Sequence, residues 1–164
     1  MRRPTILIVD DDRSAVETFE LMLRGNGFDV RVALDCEGGW TEIMRTVPDA
    51  IILDLRLGAV DSMDFLRQLR AASPAAATPV AMITGDYLVD DRVADDLCGL
   101  GARLHFKPLW EEDLVRIARG LVTMAPGESA GGRGWSAARS LKASADAVSQ
   151  EAVRYDVHGP DDNR

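Results

Sequence analysis

The chain has 164 residues, room for one ordinary domain and an appendage, and 46% of them are hydrophobic, enough for a real core. A net charge of −8 argues against non-specific attachment to nucleic acid or to an anionic membrane, since neither polyanion attracts such a surface. Cys36 and Cys98 share no ligand spacing and read as separate thiols in a reducing compartment, and the apolar run near the N-terminus is too short for a signal peptide or a membrane span, so a soluble cytoplasmic chain is expected.

In chain order, the β-branched run Thr5–Val9 predicts a buried strand that breaks into three carboxylates, Asp10, Asp11 and Asp12. Such crowding costs stability unless a cation or solvent relieves it. The plainest account is a solvated turn with an Asp cap for the next helix. Helical spacing follows over Ser14–Arg24, with Val16, Phe19 and Leu23 on one face and "GNG" (Gly25–Gly27) as the stop. Strands are then expected at Phe28–Ala33, Ala50–Leu53, Val80–Thr84 and, more weakly, Arg103–Phe106. Helices are expected at Glu37–Thr46, Ser62–Ala72, Tyr87–Leu100 and Trp110–Met124. Trp40 and Trp110 read as packing residues on helix faces.

Strands alternating with helices imply βαβ units and a doubly wound parallel sheet of five strands, an α/β, flavodoxin-like fold. Burial on both faces explains why the strands are continuous apolar runs. The expected domain covers residues 1–124. Residues 125–134, "APGESAGGRG", read as a flexible linker. Residues 135–164 read as a helical or partly disordered tail, whose seam of Ala138, Leu141, Ala145, Val148, Ala152 and Tyr155 offers little burial. The tail is too short for a helix-turn-helix module, so no direct DNA binding is expected.

Functional groups in such a sheet collect beyond the carboxyl ends of the strands, where strand order reverses. The first strand ends in Asp10 and Asp11, the third in Asp54, the fourth in Thr84 and the fifth in Lys107. With strand order 2-1-3-4-5 the three carboxylates converge, and Thr84 and Lys107 enter from the other side. Three carboxylates make a hard oxygen site suited to Mg²⁺, which would offset their crowding. The set fits phosphoryl transfer to Asp54, a reaction of positioning and charge neutralisation in which Lys107 and Thr84 meet the phosphoryl oxygens. Gly85 leaves the approach open, and Pro108 fixes the backbone after Lys107, in either peptide isomer.

The segments "ILIVDDD", "PDAIILDLRL", "PVAMITG" and "FKPL", each followed by a helix, resemble the receiver domain of two-component response regulators, the CheY-like superfamily, over about Pro4–Met124. The resemblance implies that Asp54 is the phospho-acceptor, that Asp10, Asp11 and the Arg56 carbonyl hold Mg²⁺ with Asp54, that Thr84 is the switch hydroxyl and that Lys107 senses the phosphoryl group. It implies a phosphohistidine donor, a sensor histidine kinase or a histidine phosphotransfer protein. It also implies an output through the fourth helix, fifth strand and fifth helix to a downstream protein, with a dimer left open. Apart from catalysing its own phosphorylation and dephosphorylation, such a domain is not an enzyme.

Two departures from the family pattern stand out. The loop after the acceptor reads "LGAVDS" (Leu57–Ser62) where the family has a sequence like "MPGMDG", which predicts a looser loop. Leu104 stands where the family carries an aromatic residue, which puts the coupled aromatic switch in question. Arg56 and Asp86 are expected to flank the route of water to the phosphoryl group.

Two rivals remain. The opening strand also fits a haloacid-dehalogenase-type phosphatase, with Asp10 as nucleophile and Asp12 as general acid, but this leaves Asp54 idle and lacks a further acidic pair after Lys107. A phosphorylation-independent adaptor is the other. His105 reads as a surface or packed histidine, and "DYLVDDRVADD" (Asp86–Asp96) as a solvated acidic face.

Overall fold

The computed structural model describes residues 2–58 and 60–124. The elements in order are β1 (Thr5–Val9), α1 (Arg13–Gly25), β2 (Asp29–Ala33), α2 (Cys36–Arg45), β3 (Ala50–Asp54), β4 (Arg56–Leu57), β5 (Val60–Asp61), α3 (Ser62–Ala72), β6 (Val80–Thr84), α4 (Asp91–Gly99), β7 (Ala102–Phe106) and α5 (Glu111–Val122). Five strands pair in parallel in the order β2-β1-β3-β6-β7, the expected 2-1-3-4-5 arrangement once the short β4 and β5 are set aside. The tail and linker expectations, residues 125–164, lie outside the described residues.

Period-two alternation within fully apolar strands builds two cores, one on each face of the sheet. Leu7, Val9, Ile51, Leu53 and Met82 join Ile43, Leu66, Leu69 and Leu97 of α2, α3 and α4. On the opposite face Ile6, Ile8, Ile52 and Ile83 meet Phe19, Leu23, Leu114 and Leu121 of α1 and α5. Among the described residues no helix is long and apolar enough to cross a membrane.

Aspartate caps start four helices. Asp12, Asp35, Asp61 and Asp90 accept backbone N–H bonds from the first turns of α1, α2, α3 and α4. Buried or half-buried guanidinium groups close other ends. Arg31 donates to the carbonyls of Glu42 and Thr46, and Arg70 to those of Leu100, Ala76 and Thr78. Carbonyls at helix ends and turns run short of backbone donors, and these side chains supply them.

The structure corrects two expectations and adds a detail. The fourth helix begins at Asp91 and not at Tyr87, because the Asp86 carboxylate takes the Leu88 N–H and Asp90 caps the helix through the Arg92 N–H. Trp110 does not pack. It precedes α5 with 72% of its surface exposed. The loop after Asp54 folds into an antiparallel hairpin in which Arg56 faces Asp61 and Leu57 faces Val60. Gly58 makes that turn with φ of +51°, a conformation costly for other residues.

His105 on β7 is packed, and its Nε2 is buried without a hydrogen-bond partner. Burial, then Arg103 and Arg116, pushes its pKa down to about 4, against a smaller opposing pull from Asp113. A base with a folded pKa below its unfolded value of 6.5 stabilises fully above that value. The contribution is lost as pH falls towards 4, and amounts to about 3 kcal/mol. Replacing His105→Gln is therefore expected to flatten the loss of stability between pH 7 and pH 4, read from urea unfolding midpoints against wild type.

Candidate functional site

β1 and β3 are neighbours with Val9 opposite Leu53, so the residues that follow them emerge side by side. Asp10 continues β1 by donating its N–H to the Ala33 carbonyl at 3.2 Å. Its Oδ1 accepts the Asp12 N–H at 2.9 Å. Asp54 closes β3, and its Oδ1 accepts the Arg56 N–H at 2.8 Å. Both carboxylates are buried, at 3% and 8% exposure, whereas Asp11 is exposed. Ligand oxygens of Asp10, Asp11 and Asp54 lie within 4.8 Å of one another. The run of three aspartates thus divides by local geometry: Asp12 caps α1, while Asp10 and Asp11 turn to the cluster.

Lys107 joins them from the far side of the sheet. Its Nζ lies 2.7 Å from Asp10 Oδ2 and 2.6 Å from Asp54 Oδ2. Its N–H donates to the Thr84 carbonyl at 2.7 Å, which fixes where the side chain begins. The following Lys107–Pro108 peptide is cis. Burial lowers the Lys107 pKa, but the hydrogen bonds it donates to Asp10 and Asp54, with their charges, outweigh it, and the net direction is up. Asp10 is also pushed up, first by burial, with the Asp54 charge adding to it and Lys107 only partly opposing. Lys107 draws on two carboxylates, whereas Asp10 shares its one ammonium with Asp54.

Three carboxylates and one ammonium leave a formal charge of −2 (three negative, one positive). An all-oxygen donor set with that surplus fits a hard divalent cation such as Mg²⁺. Thr84 is fully buried, and its Oγ1 accepts the Asp86 N–H at 3.0 Å, which leaves the hydroxyl proton to donate. A Cβ at Gly85 would meet nothing within 4 Å, so the space beside Thr84 is open.

The rim joins the hairpin to the loop after β6. The exposed Arg56 guanidinium pairs with Asp86, whose carboxyl is held below the usual range by the Leu88 N–H and by Arg56. Beside this pair runs a groove of about 550 Å³ over Leu55, Leu57, Met63 and Val93. The acidic cluster does not line it. Asp12, the general acid of the phosphatase alternative, is committed to the Ser14 and Ala15 N–H groups.

Of the residues expected from the sequence, Asp10, Asp11, Asp54 and Lys107 meet directly, Arg56 is linked to them through its N–H on Asp54 and Thr84 through its carbonyl on Lys107, and two further residues hold the site's backbone. Ser62 is fully buried and donates its hydroxyl to the Asp54 carbonyl at 2.7 Å, tying the start of α3 to the acceptor's own peptide. Tyr87 donates its hydroxyl to the Lys107 carbonyl.

The family model of the response regulator receiver domain matches residues 6–119. The response regulator MprA of Mycolicibacterium vanbaalenii is 34% identical over 152 residues, 92% of this chain and 64% of that protein. The DNA-binding response regulator MtrA of Mycobacterium tuberculosis is 40% identical over 82 residues, 50% of this chain and 35% of that one. The chain therefore spans under two thirds of the length of these relatives. Among solved structures, a protein described as a response regulator from Chloroflexus aurantiacus superposes with a TM-score of 0.67 at 30% identity, covering 75% of this chain and 100% of that one.

Removing the Ser62 hydroxyl leaves a buried carbonyl without that donor, a loss of about 1–3 kcal/mol. Ser62→Ala is expected to lower the urea midpoint accordingly, with the m-value unchanged.

Proposed function

The chain belongs to the response regulator receiver domain family, and from that premise we propose that it accepts a phosphoryl group on Asp54 and passes the change to a protein partner. The donor in this reading is the phosphohistidine of a sensor histidine kinase or histidine phosphotransfer protein. The observation that carries it is the convergence of Asp10, Asp54 and Lys107, residues from three strand ends, at hydrogen-bond distance.

In the transfer a carboxylate oxygen of Asp54 forms a bond to phosphorus as the phosphorus–nitrogen bond to the donor imidazole breaks, leaving an acyl phosphate. Lys107 gives up its bond to Asp54 and pairs with a phosphoryl oxygen, remaining charged because Asp10 still holds it. Thr84 donates its free hydroxyl proton to another phosphoryl oxygen. Asp10, Asp11, Asp54 and the Arg56 carbonyl would hold Mg²⁺, which when bound neutralises charge between the phosphoryl oxygens and the acceptor. In this reading the Arg56–Asp86 pair flanks the route of water to the acyl phosphate and tunes the lifetime of that state.

The functional unit in this reading is residues 1–124, in the cytoplasm, followed by a linker at 125–134 and a tail at 135–164, and its direct target is a protein and not DNA. The output face is α4, β7 and α5. The chain promotes its own phosphorylation and dephosphorylation and no other turnover.

Incubation with acetyl phosphate and Mg²⁺ is expected to add one phosphoryl group, seen by intact-mass spectrometry. Asp54→Asn or chelation by EDTA should abolish the addition. Steady release of phosphate through Asp10 in the Asp54→Asn protein would instead favour the phosphatase. Equal affinity of a partner for wild type and Asp54→Ala would favour the adaptor. Reversing the rim pair (Arg56→Glu with Asp86→Arg) should change the dephosphorylation rate, and an unchanged rate would remove the pair from the account.

A further inference from the structure

The loop between β6 and α4 touches the site through two successive residues. The Asp86 N–H donates to Thr84 Oγ1 at 3.0 Å, and the Tyr87 hydroxyl donates to the backbone carbonyl of Lys107. The Tyr87 ring also lies on Phe106, with centroids 5.4 Å apart and planes 9° from parallel. Phe106 is the residue before Lys107, so ring and hydroxyl hold the same short stretch of backbone. Burial does not account for this pose, because Tyr87 keeps 52% of its surface exposed.

A lysine that must place its ammonium between two carboxylates has a particular need for a firm base. Its four-carbon stem is flexible, so any freedom in the backbone adds to that of the side chain. The Lys107 peptide is pinned from one side by its N–H bond to the Thr84 carbonyl. On its other side the following residue is Pro108, which has no N–H to offer. Tyr87 supplies the second hold, through the Lys107 carbonyl. Position 104 does not reach this stretch in the same way, because Leu104 packs against the core on the α2–α3–α4 face.

We infer that Tyr87 is a positioning residue for Lys107, and that the loop it belongs to ties the place of the Thr84 hydroxyl to the place of the Lys107 ammonium. This rests on the reading that Lys107 acts on the phosphoryl group. Both groups that would meet phosphoryl oxygens are then held by neighbouring residues of one loop, Asp86 for Thr84 and Tyr87 for Lys107. Displacing either group pulls on the other, and on the exposed Leu88 that follows them.

The sequence contains two lysines, Lys107 and Lys142, so the full chain labelled with ¹³C-lysine gives two resolvable ε-CH₂ environments. In Tyr87→Ala the Lys107 signal is expected to move towards that of a free lysine side chain. The maximal rate of phosphorylation by acetyl phosphate at saturating Mg²⁺ should fall about tenfold, with the half-saturating Mg²⁺ concentration unchanged to within about twofold. Tyr87→Phe keeps the ring and loses the donor, and should show part of both changes. An unmoved Lys107 signal with a wild-type rate in Tyr87→Ala overturns the inference. So does a fall in rate matched by an equal loss of Mg²⁺ affinity, which marks general damage to the site. Should Tyr87→Ala fail to fold, a wild-type signal and rate in Tyr87→Phe overturns it. If wild type takes no phosphoryl group at Asp54, the functional reading fails, while the lysine signal still decides the positioning role.

Discussion

Two carboxylates buried at the ends of neighbouring strands and held by one ammonium are the constraint around which the molecule is arranged. An unpaired buried charge is costly, and neither Asp10 nor Asp54 keeps an oxygen without a partner: Lys107 takes one from each, and the Asp12 and Arg56 N–H groups take the others. The pairing is stable enough to exist and incomplete enough to act. One positive charge against three negatives leaves a negative surplus that a divalent cation would offset.

The rest of the acidic chemistry follows a simpler rule. An aspartate whose next residues turn into a helix reaches the N–H two or three positions on, which is a local interaction and needs no tertiary contact. Asp12, Asp35, Asp61 and Asp90 are of that kind. Asp10 and Asp54 are set apart by what lies across the sheet from them. The same side chain therefore serves as a cap or as a reactive group according to whether its strand neighbours bring another charge within reach.

Around this centre the loops differ from the family pattern, and other contacts occupy the altered positions. Where a glycine is expected, Ser62 is buried and bonds the acceptor's carbonyl. Where a proline is expected, Gly58 turns a hairpin that carries Arg56 to Asp86. Where an aromatic residue is expected on the fifth long strand, leucine packs against the core, and the stacked rings of Tyr87 and Phe106 adjoin the Lys107 backbone. The loop after the acceptor carries a short antiparallel pairing, and the Ser62 hydroxyl beyond it bonds the acceptor's carbonyl.

The sequence by itself determined the five strands, the fold class and the identity of Asp10, Asp11, Asp54, Thr84 and Lys107 as strand-end groups. Runs of β-branched and aliphatic residues and the turns between them are encoded locally, so a periodicity read along the chain captures them. It also misplaced the start of α4 and the packing of Trp110, since the apolar spacing of 87–100 says nothing of the Asp86 and Asp90 side chains that end the loop and begin the helix. Only the tertiary structure decided which oxygen of each carboxylate meets Lys107, that Ser62 and Tyr87 hold the backbones of the acceptor and the lysine, and that Arg56 and Asp86 meet across the rim. Those contacts join residues from about 8 to nearly 100 positions apart, and their directions depend on side-chain rotamers and loop paths that are set when the sheet and its helices pack, not by any pattern in neighbouring residues.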